Sequence, residues 1–515
     1  MSPLAGVVAV GLVSVATLAI GAFGLRVSRT TSDFYVASRS VGPLMNASAI
    51  GGEYLSAASF LGVAGLVLAR GVDMLWYPVG WTAGYLVLLV LVAAPLRRSG
   101  AYTLPDFAQL RVESLRARRV AGLLVGLIGV LYLIPQFQGA GITLRTLTGA
   151  PTWLGAALVA VVVLVNVLFG GMRSITLAQA FQYWLKLVAL LVPAFFLLVV
   201  THGRTAQAVG RLDARAWVEP LSGEHALYLT YSLILATFLG TMGLPHVVVR
   251  FYTNRDGRAA RRTTVAVLAL LSCFYLLPTV YGVLGRAYTP DLVDSGRTDS
   301  VVLELPGRVL GGPAGDLLTA LVGAGAFAAF LSTSSGLMVS VAGVISQDLL
   351  GGRLEGVRAF RWATVLAAAV TLGITLASSG LAVAHAVELA FAVAASTFCP
   401  LLLLGIWWRG LTAAGAIAGL VVGGVTSISA VALAMLGVSG GGWTAAVLAQ
   451  PAACTVPLAF ATMVGVSLLT RQQLPVHLAR TMVRLHTPEH LSLDRGPFHP
   501  EQVTARRRRR PLTDV

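Results

Sequence analysis

Three stretches of this sequence carry groups that could hold a small ion away from water. The first is Ala49-Ile50-Gly51-Gly52-Glu53-Tyr54-Leu55-Ser56-Ala57-Ala58-Ser59-Phe60-Leu61-Gly62, a glycine pair and a carboxylate deep in an apolar run. Leaving a charged side chain in hydrocarbon costs on the order of 3 kcal/mol on insertion scales, so Glu53 must face a cavity, an ion or a partner. The plainer alternative is that Gly51 and Gly52 only permit close helix packing and Glu53 is hydrogen-bonded structurally. The second stretch, Thr237-Phe238-Leu239-Gly240-Thr241-Met242-Gly243-Leu244-Pro245, is again interrupted by glycine and closed by proline. The third, Ala326-Phe327-Ala328-Ala329-Phe330-Leu331-Ser332-Thr333-Ser334-Ser335, places four hydroxyls in a row. Serine and threonine commonly bond back to their own helix. Beside an unwound helix, however, they and the freed carbonyls can supply the roughly five or six oxygens that a bare sodium ion requires.

The elements that must position these groups are membrane helices. Of 515 residues, 56% are hydrophobic and only 11% charged, with a mean hydropathy of +0.81. A water-soluble fold could not hide that much apolar surface. The apolar residues fall into thirteen blocks, each near the ~20 helical residues that span a hydrocarbon core. They run roughly Leu4 to Leu25, Pro43 to Leu68, Gly71 to Leu96, Val120 to Leu144, Trp153 to Gly170, Ile175 to Val200, Ala226 to Leu244, Thr263 to Leu284, Leu317 to Ile345, Trp362 to Ala377, Leu381 to Trp408, Ala413 to Leu436 and Ala445 to Leu469. The first block lacks a charged start and a cleavage site and reads as a membrane helix. Broken backbone is tolerated within a membrane only where protein or a wet cavity satisfies it, so the interruptions in helices two and seven point to a site. Their separation by five helices is what an inverted repeat would produce, helices two to six matching seven to eleven.

The net charge of +16 is a topological signal and does not imply nucleic acid. With the N-terminus outside, 28 of the 37 Lys and Arg fall on inner segments, the positive-inside bias, which places the C-terminus in the cytoplasm. Arginine supplies all but one of them; the exception, Lys186, lies within a helix. Such GC-rich coding suggests a bacterium, hence its inner membrane. The outer segment from about Arg286 to Asp316 is acidic and reads either as a solvated loop or as a short amphipathic helix over the outer mouth. The tail from Arg471 is polar and ends in Arg506 to Arg510, a run suited to anionic lipid. Its histidines have no ligand spacing. Cys273, Cys399 and Cys454 lie in apolar blocks without paired spacing and read as packing residues.

These residues bring a family into view: from end to end the chain resembles the sodium:solute symporters. Ser32 to Arg39, before helix two, Gly170-Gly171-Met172-Arg173 with Gln182, and Ser332-Thr333 with Asp348-Leu349 look like that family's motifs. The acetate and short monocarboxylate subgroup looks nearest, on Glu53 to Gly62, Leu131-Tyr132-Leu133-Ile134-Pro135-Gln136, and Gly243-Leu244-Pro245-His246 with Arg250-Phe251. The resemblance implies an all-α polytopic protein of about thirteen transmembrane helices with a LeuT-like core of five plus five inverted helices. That core covers residues 43–409 (helices two to eleven), after a first helix and inner loop in 1–42; two extra helices in 410–470 and a basic tail in 471–515 follow it. It also implies a sodium site made of the backbone carbonyls of Gly52, Leu55 and Ala329 and the hydroxyls of Ser332 and Thr333. Gln179 stands where many members have aspartate, which argues against a second sodium. Glu53 stands where the subgroup usually has Asp.

The implied activity is inward symport of a small monocarboxylate such as acetate with sodium, with no further cofactor. Each negative charge entering against a negative interior climbs about 2.3 kcal/mol per 100 mV, and one sodium cancels that term. The anion would sit near the free amides around Tyr54 to Ser56, close to Glu53, with Trp76, Tyr77 and Gln136 as walls or donors. His246 and Arg250 read as a loop clamp at the inner end of helix seven, and His385 and Glu388 as a local pair. The alternatives are proton coupling through Glu53, a different solute such as an amino acid or sugar, and a sensor without net transport. No nucleophile, metal cluster or phosphate loop occurs at usable spacing, so an enzyme is not expected.

Overall fold

A computed structural model describes residues 3–25, 41–202, 217, 219–221, 223–349, 356–377, 383–436, 441–489 and 491. The Ser32 to Arg39 motif, most of the loop between helices six and seven, and the run Arg506 to Arg510 lie outside them, as do the side chains of 171–173, Asp348, Leu349 and His385.

Every regular element among the described residues is helical. In hydrocarbon the backbone must satisfy its own donors and acceptors, and apolar blocks of this length can do so only as helices. Among the described residues twelve helices are long and apolar enough to cross a membrane, and the chain is a multi-pass membrane protein. The expected thirteen differ from these twelve at the first interruption. The helix Pro43–Tyr54 is only 12 residues long, too short to cross alone; its continuation is closed at Gly71 (φ 77°, ψ −141°) before Trp76–Val87 begins, so the two expected blocks stay separate helices although they fall within one 42-residue span, Ala58–Ser99. Conversely, helices five and six share one unbroken helical backbone, Thr152–Val200, in which the spans Thr152–Gly170 and Ser174–Val200 meet.

Both interruptions are present. Pro43–Tyr54 ends at Leu55 (φ −74°, ψ 84°), and the chain resumes as a π-helical turn, Ala58–Gly62, leading into Val63–Arg70. Ala226–Gly243 ends at Leu244 (φ −71°, ψ 118°), and Pro245–Tyr252 follows, with its proline at a first-turn position that needs no amide donor. Thr152–Val200 packs against Pro3–Leu25, Pro43–Tyr54 and the hydroxyl-bearing helix Gly312–Val344. Ala226–Gly243 packs instead against Trp76–Val87 and Val383–Trp407.

The acidic segment expected to lie outside contains the helix Val301–Leu310, which buries Val301, Val302 and Leu305 and leaves Arg308 at the surface. The tail carries a short helix, Leu478–His486, held by a bond from Arg484 Nε to the Arg98 carbonyl (3.2 Å). The expectation of a polar tail throughout is corrected there: Met482 and Leu485 are buried.

Candidate functional site at the first broken helix

The break at Leu55 frees backbone oxygens in the interior. The Leu55 amide turns back to the Gly51 carbonyl (3.0 Å), and the Ala57 amide is taken by Gln136 Oε1 (2.9 Å). The carbonyls of Gly52 and Leu55 are left facing Gly312–Val344 and Thr152–Val200. From the first of these, Ser332 Oγ reaches the Gly52 carbonyl (2.6 Å) and the Ala329 carbonyl (3.0 Å). Close approach is possible because residue 52 is glycine: a Cβ there would run into the Gln179 carbonyl.

The structure therefore brings Gly52, Leu55, Ala329 and Ser332 together in one oxygen-lined cradle. Within it lies the side chain of Lys186, fully buried. Its Nζ donates to the Gly52 carbonyl, to the Leu55 carbonyl at 2.7 Å and to Ser332 Oγ at 2.9 Å. Thr333 does not join this set, since its hydroxyl donates to the Glu53 carbonyl at 2.6 Å and ties the two helices one residue farther along. Lys186 is the cradle residue that sequence reasoning passed over, and its signal was there: it is the chain's sole lysine, in mid-span, beside thirty-six arginines.

Glu53 is not free to meet a solute. Arg250 Nε lies 2.6 Å from its Oε2, with both side chains at most 2% exposed. The same guanidinium donates to Thr176 Oγ1 (2.7 Å) and Gln179 Oε1, and Gln179 Nε2 continues to the Ser332 carbonyl (2.8 Å). Arg250 thus locks the second broken helix onto the first and fixes two walls of the cradle. This corrects its reading as a headgroup clamp; His246, also buried, lies with its ring centroid 5.2 Å from that of Tyr132.

Aromatic rings gather beside the break. Phe391 has Trp81, Tyr132 and Tyr54 around it at centroid distances of 5.6, 5.9 and 6.2 Å, and Tyr54 meets Tyr85 edge-on at 4.9 Å. The Tyr54 hydroxyl pairs with Thr241 Oγ1 (2.8 Å), which brings the second broken helix to the same place, and Ser56 Oγ accepts from the Tyr132 hydroxyl (3.3 Å). The buried Trp81 Nε1, Tyr85 hydroxyl and both His246 ring nitrogens have no hydrogen-bond partner among the described residues.

Three expectations about the wall are corrected. Trp76 is 40% exposed, on the opposite side of its helix from the cluster. The wall residue is Trp81, flanked at four-residue intervals by Tyr77 and Tyr85 on one helical face. Gln136 is spent on capping the break. Tyr77 stacks edge-on with Trp81 (5.5 Å), but its hydroxyl donates to Glu388, which also receives Gln450; the expected partner of Glu388, the His385 side chain, lies outside the described residues.

The fold is shared with solved transporters. The fold superimposes on a sodium-coupled sialic acid symporter in a substrate-bound outward-open state with a TM-score of 0.70, at 15% identity, over 89% of this chain and 97% of that one. It matches Mhp1, a nucleobase-cation-symport-1 family transporter, with a TM-score of 0.55 at 14% identity, covering 88% and 99% of the two chains. MhsT in complex with L-phenylalanine gives 0.53 at 17% identity, covering 83% and 98%. The fold is therefore LeuT-like. In sequence, the chain is 32% identical over 436 residues to the uncharacterized symporter YwcA of Bacillus subtilis (strain 168), covering 81% of this chain and 84% of that protein. The model of the sodium:solute symporter family matches residues 34–423, and the chain belongs to that family.

Proposed function

We propose that this protein is a secondary active symporter that carries a small monocarboxylate such as acetate inward across a bacterial inner membrane, with its N-terminus outside, its C-terminus in the cytoplasm and residues 43–409 as the transport core. The observation that carries the reading is the set of unpartnered buried donors, Trp81 Nε1 and the Tyr85 hydroxyl, beside the break and among the rings of Tyr54, Tyr132 and Phe391. A buried donor without an acceptor is costly, and a carboxylate offers acceptor lone pairs while its short alkyl group lies against aromatic faces. Tyr54 and Ser56 would border that solute.

Family membership supports sodium as the driving ion. One observation favours a second reading, a carrier independent of sodium: Lys186 already bonds to the cradle oxygens. Either driver leaves the solute site as described, and no cofactor beyond a coupling ion is proposed.

Uptake of labelled acetate into proteoliposomes, under imposed sodium or pH gradients, tests the solute. Saturable uptake competed by propionate and pyruvate, but by neither proline nor glucose, is expected. Trp81→Phe keeps the ring and removes one donor to a charged group, a loss of about 1.5–3 kcal/mol, so KM should rise roughly ten- to a hundred-fold. Competition by proline or glucose alone would remove the monocarboxylate from the account.

A further inference from the structure

We infer that the resident cation of the cradle is the ammonium of Lys186, so that the oxygens of Gly52, Leu55 and Ser332 do not take a sodium ion. An ammonium has three donors and no acceptor. Here the three donors meet three oxygens: two carbonyls from the unwound segment and one hydroxyl from the facing helix. The hydroxyl can serve in this way because Ser332 directs its own hydrogen to a backbone carbonyl, that of Gly52 or Ala329, and keeps its lone pairs for Lys186.

A bare cation in the same space would need those carbonyls for itself. Two like charges would then stand within about one hydrogen-bond length in a medium that screens poorly. The tethered group has the advantage of position. Lys186 lies two helical turns beyond Gln179, whose carbonyl touches Gly52, so the closeness of these two helices aims the side chain at the break. Residue type matters as well. An ammonium is a compact point charge that fits a ring of oxygens, whereas the planar fork of arginine, which this chain uses at every other basic position, does not. Full burial of a lone ammonium in a membrane interior is otherwise expensive, and the oxygens that offset the cost are the ones the resemblance assigned to sodium.

The test is sodium binding by the purified full-length protein, which does not depend on the carrier reading or on the solute. Wild type should show no saturable binding of 22Na+ and the same thermal unfolding midpoint in sodium chloride as in choline chloride. Lys186→Ala should gain about one bound sodium, and Lys186→Ala combined with Ser332→Ala should lose it. One sodium bound by wild type and abolished by Ser332→Ala would overturn the inference, as would a folded Lys186→Ala that binds none. Should Lys186→Ala fail to fold, the wild-type measurement and its response to Ser332→Ala decide alone. In proteoliposomes, acetate uptake unchanged when choline replaces sodium at fixed pH supports the inference and an abrupt loss counts against it. Absence of acetate uptake in every gradient would instead strike the carrier reading and leave the binding result standing.

Discussion

Two clusters of charged side chains among the described residues obey different physics. In the interior, Glu53, Arg250 and Lys186 are nearly devoid of solvent, and every charged group is held by named donors or acceptors on at least two helices. At the surface, on the segment 291–310, Arg297, Glu304, Arg308 and Asp291 form ion pairs of similar length, Arg308 lying 2.6 Å from both Asp291 and Glu304. There the partners are between 15% and 58% exposed. Distance alone would rank the clusters as equals. Solvent separates them: outside, water replaces a lost partner at little cost, while inside, a lost partner leaves a bare charge. The inner cluster therefore dictates which helices may meet, and the outer one trims a surface.

The largest expected effect follows from removing half of the inner pair. Glu53→Gln leaves Arg250 buried without its counter-charge, a loss of about 3–5 kcal/mol, enough to deplete folded protein in the membrane. Size-exclusion yield and thermal unfolding in detergent would register it. Neutralising both partners, as in Glu53→Gln with Arg250→Met, should recover part of the loss, because no lone charge remains. A double variant as damaged as the single one would mean that the pair is not the interaction that matters.

A smaller effect separates two glycines of one helix. In Gly312–Val344 a Cβ at Gly336 would fall inside the Glu53 side chain, whereas one at Gly343 meets nothing within 4 Å. Gly336→Ala should cost about 1–3 kcal/mol by overpacking and push Glu53 off Arg250. Gly343→Ala should be neutral or stabilise by up to about 1 kcal/mol through helix propensity. Equal midpoints for the two variants would show that Glu53 has room to move, and would weaken the contrast between a fixed interior and a pliable surface.

How much of this was readable beforehand depended on whether a signal was local. The breaks were legible because glycine, proline and a lone acid in an apolar run are features of single segments, and Ser332-Thr333 was legible for the same reason. The partner of Glu53 was not, since Arg250 is 197 residues away and only the meeting of the two broken helices makes them neighbours. Trp76 was preferred to Trp81 for want of a helical phase: five residues is about 140° of rotation, enough to carry a ring from the cluster to the outside. Lys186 was visible as the only lysine, but its meaning required the cradle, whose oxygens come from segments near residues 52 and 332. Residue types pointed to an oxygen-lined cradle, and tertiary contacts place the Lys186 ammonium in it.

The smallest effect belongs to the outer cluster. Asp291 is exposed, and its hydrogen bond with the Arg308 guanidinium holds its carboxyl below the usual carboxylate range. A depressed pKa in the folded state contributes stability that is present above the unfolded value near 3.8 and disappears as pH falls through the folded one. At neutral pH the contribution is in place, but exposure and salt leave little of it. Arg308→Gln should therefore shift the unfolding midpoint by no more than a degree or so at physiological salt, with a small gap opening only at low salt and closing again below about pH 4. A large, salt-insensitive loss would mean that the segment Asp291–Leu310 anchors the outer face through these pairs, and the distinction between inner and outer charges would need a different physical basis.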